Sequence, residues 1–82
     1  MKLKSLRKDL LEYLQEHHLY TKWEKASFLF EENFKHPSLR TELLEPHWRG
    51  IYSFRLDKKY RVLFFITGNQ VEVFQITRHY KK

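Results

Sequence analysis

The segment from Gly50 to Thr77 reads GIYSFRLDKKYRVLFFITGNQVEVFQIT and determines which class of fold we expect. It contains three short runs that are rich in β-branched and aromatic residues, at positions 51–56, 60–66 and 71–77. Such runs are typical of strands, and the charged and glycine-containing segments between them are typical of turns. The segment therefore predicts an antiparallel β-meander of three strands.

The second turn of this meander also predicts how its strands pair. Gly68-Asn69 suits a tight two-residue hairpin loop, because both residue types tolerate the backbone angles that such a loop needs. Counting back from this loop with strict alternation gives four expected pairs: Ile66 with Val71, Phe64 with Val73, Val62 with Gln75, and Arg61 with Ile76.

The residues before the meander have the periodicity of helices. Apolar side chains recur every three or four residues over 6–18, where Ser5 is a candidate cap, and again over 22–35. The sequence 21–24 has the form of a capping box for the second helix, and His36-Pro37 ends it. We therefore expect an α+β fold, with an N-terminal two-helix hairpin packed on a C-terminal three-stranded antiparallel β-meander.

Length and composition limit the organisation of the chain. Eighty-two residues form one domain, 1–82, and seven Phe, five Tyr and two Trp supply its core. There is no cysteine, and the five histidines lack metal-ligand spacing, so we expect neither a metal nor another cofactor. The N-terminus does not resemble a signal peptide, and the longest apolar run is too short to cross a bilayer. We therefore expect a cytoplasmic protein with no membrane association.

The excess of positive charge lies entirely in the second half of the chain. Residues 1–45 contain eight Lys or Arg and eight Asp or Glu, whereas residues 46–82 contain eight Lys or Arg and two Asp or Glu. Such an asymmetric charge attracts polyanions, of which nucleic acid is the commonest. An acidic protein or a membrane surface would fit the charge equally well, and a solvated surface needs no partner at all.

Two features of the basic half have both a structural and a functional interpretation. Arg61 begins an apolar run; it either reaches water from a strand end or presents its guanidinium to a phosphate. The sequence Arg78-His79-Tyr80-Lys81-Lys82 is either a solvated terminus or a set of RNA contacts that combines cations, an aromatic ring and an imidazole. Glu42, just before the basic half, would pass as a surface charge by itself.

The order of these elements resembles the RelE/ParE toxin superfamily of bacterial toxin-antitoxin pairs, and within it the YoeB-like messenger RNA endonucleases. The resemblance spans about residues 5–82, and its specific part runs from Glu42 to Tyr80. In that branch the active site has a Glu before the sheet, an Arg that opens a strand and a terminal His-Tyr pair. Glu42, Arg61, His79 and Tyr80 match this set in type and approximate spacing.

The resemblance implies metal-free RNA cleavage by attack of the 2'-hydroxyl on the adjacent phosphate. Glu42 and His79 would be the base and the acid, in an order that the sequence leaves open, while Arg61 would stabilise the phosphorane and Tyr80 would orient the base. Seven further cations would hold the RNA backbone: Arg49, Arg55, Lys58, Lys59, Arg78, Lys81 and Lys82.

The resemblance also implies partners. These are a cognate antitoxin and messenger RNA on the ribosome. Family members begin with a β-strand, for which residues 1–4 leave little room, so we expect this strand to be short or absent. An unpaired sheet edge would then be open to the antitoxin or to a second copy of the chain.

Two other functions remain open from the sequence alone. One is a non-catalytic protein of the same fold that binds an antitoxin or DNA gyrase, which a missing first strand would favour. The other is a small nucleic-acid-binding domain without catalysis, which would explain the charge but not Glu42.

Overall fold

The computed structural model of the protein describes residues 1–78. In chain order its strands and α-helices are β1 (Lys2–Leu3), α1 (Lys8–Glu16), α2 (Tyr20–Glu32), β2 (Glu42–Leu43), β3 (Tyr52–Arg55), β4 (Tyr60–Thr67) and β5 (Gln70–Arg78). Short 3-10 helices at Pro37–Leu39 and His47–Arg49 flank β2.

The strands form one mixed sheet in the order β1-β5-β4-β3-β2, in which β1 runs parallel to β5 and all other neighbours are antiparallel. The α+β class, the helix hairpin and the three-stranded meander are confirmed. The number of strands was wrong, because two-residue strands extend the meander at each side. Neither is long enough to show an alternating pattern in the sequence.

The first strand is short but present, so the expected unpaired edge beside the meander is closed only where this strand pairs with Gln70 and Val71. The Lys4 N–H donates to the Val71 carbonyl at 2.9 Å, which docks β1 against β5. The Leu3 N–H donates to the Glu31 carboxylate of α2 at 2.8 Å. The described edges of the sheet are therefore β2 on one side and, on the other, β1 followed by residues 72–78 of β5.

The predicted helices are present, but both caps were wrong. Arg7, not Ser5, precedes α1. The second helix begins at Tyr20, so Thr21 lies inside its first turn and cannot cap it. The reason is the tight link between the helices: the Leu19 N–H donates back to Leu14 O at 2.7 Å, and His18 has a left-handed φ of 56°. The helices also end earlier than expected, at Glu16 and Glu32.

The helix hairpin packs on one face of the sheet. Phe30 of α2 is fully buried, with its ring 4.9 Å from the ring of Phe54 and 5.2 Å from that of Phe64. Leu14 of α1 and Val62 of β4 are also completely buried in this core. Large apolar groups removed from water supply most of the stability of so small a domain. The helices do not cover the opposite face of the sheet.

A β-bulge in β5 shifts the register of its pairing with β4. Phe64 pairs with Val73 and Ile66 with Val71, as predicted, but Leu63 pairs with Gln75, so Phe74 is the extra residue. The Arg7 guanidinium donates to the Phe74 carbonyl at 3.1 Å and so contacts the bulge directly. Beyond the bulge the predicted pairs are wrong by one residue.

The correct pairs beyond the bulge are Val62 with Ile76 and Arg61 with Thr77. The bulge keeps Val62 and Ile76 together in the core and puts Arg61 beside Thr77 on the face away from the helices.

Candidate functional site

Arg61 lies on the face of the sheet away from the helices, where two hydrogen bonds fix its guanidinium. Its Nε–H donates to Ser53 Oγ at 3.0 Å, and its Nη2 donates to the Arg40 carbonyl at 2.9 Å. Only 13% of the side chain is exposed. Arg61 is therefore not a strand-end residue that extends into water; its charged group is held in place at the sheet surface.

Glu42 lies on the neighbouring side of the same site. It pairs with Ser53 across β2 and β3, and its carboxylate Oε1 is 3.5 Å from Arg61 Nη2. Its side chain is 59% exposed, so the carboxylate is accessible to a ligand. Two residues that are nineteen positions apart in the sequence, Glu42 and Arg61, are thus brought together in the fold. We call this pair, with Ser53, the Arg61–Glu42 site.

The charges around the Arg61–Glu42 site are unbalanced. Arg55 is the direct cross-strand partner of Arg61, and like charges in that position are unfavourable. Burial has the largest effect on Arg61 and lowers its pKa; Glu42 raises it, and Arg55 and Arg40 lower it further. The guanidinium nevertheless stays charged, because arginine does not lose its proton in proteins. Three cations around one carboxylate favour the binding of an anion.

The guanidinium of Arg61 retains donors for such an anion. Arginine has five N–H groups, and the contacts to Ser53, Arg40 and Glu42 all use Nε or Nη2. Within residues 1–78, Nη1 has no hydrogen-bond partner. A fixed planar fork with free donors is well suited to a phosphate.

Most of the other predicted RNA-binding cations that the structure describes lie at the same end of the sheet. Arg55 ends β3, Lys58 and Lys59 form the next turn, and Arg78 pairs with Tyr60 beside Arg61. Arg49 is apart from them, in the 3-10 helix between β2 and β3. Lys58, Lys59, Arg78 and Arg49 are exposed, as contacts to a nucleic-acid backbone require.

The remaining predicted site residues, His79, Tyr80, Lys81 and Lys82, lie outside the described residues. The last described position on the face of Arg61 is its cross-strand partner Thr77. The bulge at Phe74 is the reason that Thr77, and not the predicted Ile76, lies opposite Arg61.

Two groups in the site were missed from the sequence. Ser53 is completely buried, and the signal for it was a lone small hydroxyl between the aromatic residues Tyr52 and Phe54. Arg40 contributes its backbone carbonyl, which no side-chain pattern can reveal. Arg40 has a left-handed φ of 47°, at the end of the 3-10 helix that precedes β2.

A groove of about 340 Å³ adjoins Glu42 and is lined in part by Lys35, Arg40 and Tyr52.

In the part of the chain that the structure describes, no three side chains of the types His, Cys, Asp or Glu are grouped to hold a metal ion. None of the helices in residues 1–78 has the length and apolarity needed to span a membrane.

Known proteins resemble this chain in structure. The YoeB/ParE toxin from Agrobacterium tumefaciens is 21% identical with a TM-score of 0.71, over 98% of this chain and 100% of that one. YafQ from E. coli BL21(DE3) is 11% identical, also with a TM-score of 0.71, over 94% of this chain and 89% of that one.

A third similar structure is the heterotetrameric YoeB-YefM toxin-antitoxin complex from Staphylococcus aureus. It is 17% identical with a TM-score of 0.68, over 96% of this chain and 94% of that one. No protein-family model and no curated protein matches the sequence. The chain therefore shares, over nearly its whole length, the fold of YoeB-type toxins.

Proposed function

We propose that this chain is the toxin of a type II toxin-antitoxin system, a member of the RelE/ParE superfamily that cleaves messenger RNA. The observation that carries the proposal is the Arg61–Glu42 site: a fixed guanidinium with free donors beside an accessible carboxylate, 3.5 Å away. The fold shared with YoeB-type toxins supports it. So does the confinement of the net positive charge to residues 46–82.

The proposed reaction is an attack of a ribose 2'-hydroxyl on the adjacent phosphorus. Glu42 takes the hydroxyl proton as the 2'-oxygen bonds to phosphorus, and Arg61 stabilises the charge on the phosphorane. The bond to the 5'-oxygen then breaks, and His79 supplies the proton that this oxygen needs. The products are a 2',3'-cyclic phosphate and a 5'-hydroxyl. Glu42 and His79 could exchange roles, and Tyr80 would orient the base.

The cations at the end of the sheet would hold the RNA backbone. Arg55 and the turn at 58–59 would contact phosphates next to the reacting one, and Arg78 would do so from β5. Lys81 and Lys82 extend the proposal beyond the described residues. The groove that adjoins Glu42 provides room for a neighbouring nucleotide, with Lys35 and Arg40 for its phosphate and Tyr52 for its base.

The partners follow from this function. We propose a cognate antitoxin and messenger RNA on the ribosome, and the cytoplasm as the location. A YoeB-YefM complex and a YoeB dimer from Staphylococcus aureus are among the similar structures, so we also propose pairing with an antitoxin or a second copy. The alternative of a non-catalytic or gyrase-binding relative was favoured by a missing first strand. Strand β1 removes that argument.

Expression in a bacterial host tests the proposal. Growth and messenger 5'-ends, mapped by primer extension, would be compared for the wild type, Arg61→Ala, Arg61→Lys and the exposed helix variant Lys25→Ala. We expect Arg61→Ala to lower cleavage by roughly 10²–10³-fold, because a charge-stabilising donor in the transition state is lost. Arg61→Lys keeps the charge but loses the fork, so it should rescue cleavage poorly.

The control Lys25→Ala should arrest growth like the wild type, since its side chain is exposed and belongs to α2. Circular dichroism of each purified variant would show that it is folded. A folded Arg61→Ala protein that still cleaves and arrests growth like the wild type would contradict the mechanism. Growth arrest with intact transcripts for the wild type, together with inhibition of gyrase supercoiling, would support the gyrase-binding alternative.

A further inference from the structure

Trp48 is the most exposed large apolar side chain in the described part of the protein. It is 85% exposed, whereas the other tryptophan, Trp23, is 8% exposed and lies in the core against Phe54. A tryptophan is rarely so accessible in a monomeric fold, because its ring is the largest apolar group available for burial. Packing within the domain therefore does not explain Trp48.

The position of Trp48 relates it to the Arg61–Glu42 site. It lies in the loop 44–51, which joins the strands that carry Glu42 and Ser53 and whose ends are closed by a bond from Leu44 N–H to Ile51 O at 2.8 Å. Ile51 is two residues from Ser53, or about 7 Å along an extended strand. The loop is therefore continuous with both strands that carry the Arg61–Glu42 site.

The surroundings of Trp48 favour a nucleic acid over an apolar protein surface. Its loop neighbours His47 and Arg49 are both exposed and basic, and Arg49 has no carboxylate partner within residues 1–78. The loop's own carboxylate, Glu45, lies 3.3 Å from His47. An apolar docking patch would need several large apolar side chains beside the ring. Of the exposed loop neighbours only Pro46 is apolar, and Glu45, His47 and Arg49 are polar or charged. An aromatic face beside a cation, here Arg49, is the arrangement that single-stranded nucleic acids bind.

We propose that Trp48 is a stacking platform for a nucleobase of single-stranded RNA, close to the nucleotide held at the Arg61–Glu42 site. This inference rests on the proposed function, since it assumes that the Arg61–Glu42 site binds RNA. Stacking on an aromatic ring accepts every base, so Trp48 would contribute affinity and would position the strand, with little preference for sequence. Arg49 would bind the adjoining phosphate.

Binding of a short single-stranded 2'-O-methyl RNA oligonucleotide tests this without cleavage, because the blocked hydroxyl cannot attack. Affinity would be measured by anisotropy of a labelled oligonucleotide for the wild type, Trp48→Ala, Trp48→Phe and Phe28→Ala. Phe28 is the matched control, since its ring is 65% exposed but lies on α2, in the half of the chain without net charge. We expect Trp48→Ala to bind roughly fivefold to a hundredfold more weakly, Trp48→Phe to retain most affinity, and Phe28→Ala to match the wild type.

Intrinsic fluorescence gives a second readout. The oligonucleotide should quench wild-type emission through Trp48 and leave the buried Trp23 of Trp48→Phe unaffected. Three results would each overturn the inference: Trp48→Ala affinity equal to wild type, Trp48→Phe as weak as Trp48→Ala, or no wild-type binding at all. Equal affinity in Trp48→Ala with normal messenger cleavage would leave the proposed function intact and make a protein the better candidate for this ring. If the oligonucleotide binds in a Trp48-dependent way but the protein cleaves no messenger RNA, the inference about Trp48 would hold and the proposed function would be wrong.

Discussion

The position of Arg61 depends on one buried hydroxyl. Ser53 is completely buried, and its Oγ is the acceptor for the Arg61 Nε–H at 3.0 Å. Its backbone pairs with both Glu42 and Leu63, so the same residue joins the two sides of the site. Ser53 does not face a ligand; it acts by holding the guanidinium. The consequence is that the stability of the fold and the geometry of the site are coupled at this position.

Replacement of Ser53 by Ala should therefore cost about 1–3 kcal/mol of unfolding free energy, because a partly buried N–H of Arg61 loses its acceptor. The cost should be much smaller when Arg61 is already Ala, since the N–H is then gone. Urea unfolding of wild type, both single variants and the double variant measures this coupling. Additive costs would mean that Ser53 does not position Arg61. Messenger cleavage by Ser53→Ala should fall while its circular dichroism stays that of the wild type.

Among the individual elements, the turn between β3 and β4 is organised by Asp57. Its Oδ1 accepts the N–H groups of Lys59 and Tyr60, both at 2.8 Å, and its Oδ2 accepts from Lys22 Nζ of α2 at 2.8 Å. One carboxylate thus closes the turn and attaches it to the helix layer. Burial opposes the ionised form, but the hydrogen bonds from Lys22, Lys59 and Tyr60 prevail, and the pKa of Asp57 is lowered from its ordinary value.

A lowered pKa in the folded state means that Asp57 stabilises the fold above its ordinary pKa of 3.8, and that this stabilisation is lost as the pH falls through the folded-state value. We expect Asp57→Asn to cost about 1–2 kcal/mol at pH 7, where the charge-assisted bond to Lys22 is lost. Unfolding free energies from pH 7 to pH 2.5 should converge for the two proteins at the acid end. An unchanged difference across that range would contradict the assignment. Lys22→Met removes the same bond from the other side and should reproduce part of the loss.

The elements also show what the sequence could and could not predict. The three long strands and the helix hairpin were predictable because their apolar periods extend over many residues, from Leu10 to Phe30 in the helices. The bulge at Phe74 was not, since an extra residue leaves no gap in an apolar run and its partner, the Arg7 guanidinium, is 67 positions away.

The candidate site was chosen from the sequence only through the family resemblance. Glu42 and Arg61 could be chosen for their residue types and order, and the fold brings them together. The contacts that fix Arg61 could not be predicted from the sequence, because the Arg40 carbonyl is a backbone group and Ser53 gains its role only through strand register.

At the scale of the whole molecule, the short strand β1 covers one end of the outer edge of β5. It docks through the bond from Lys4 N–H to Val71 O at 2.9 Å, and Lys4 Nζ also pairs with Glu72 at 3.2 Å. If β1 is released, Gln70 and Val71 also lose their strand partners, and the whole nine-residue strand becomes a continuous template for another chain. Two residues of pairing therefore interrupt an edge that is otherwise without a strand neighbour in the described part of the chain.

Lys4→Pro tests this, because proline has no N–H to donate and also removes the ammonium group. Lys4→Gln is the matched control, since it removes only the exposed ion pair, which is worth about 0.2–1 kcal/mol or less. We expect Lys4→Pro to unfold at lower urea concentration and to give a molar mass by light scattering that rises with protein concentration. Lys4→Gln should scatter like the wild type at every concentration. If Lys4→Pro is folded and matches the wild type in urea unfolding and in molar mass, the edge of β5 is protected by something other than the Lys4 bond. The next contact to remove would then be the hydrogen bond from Leu3 to Glu31.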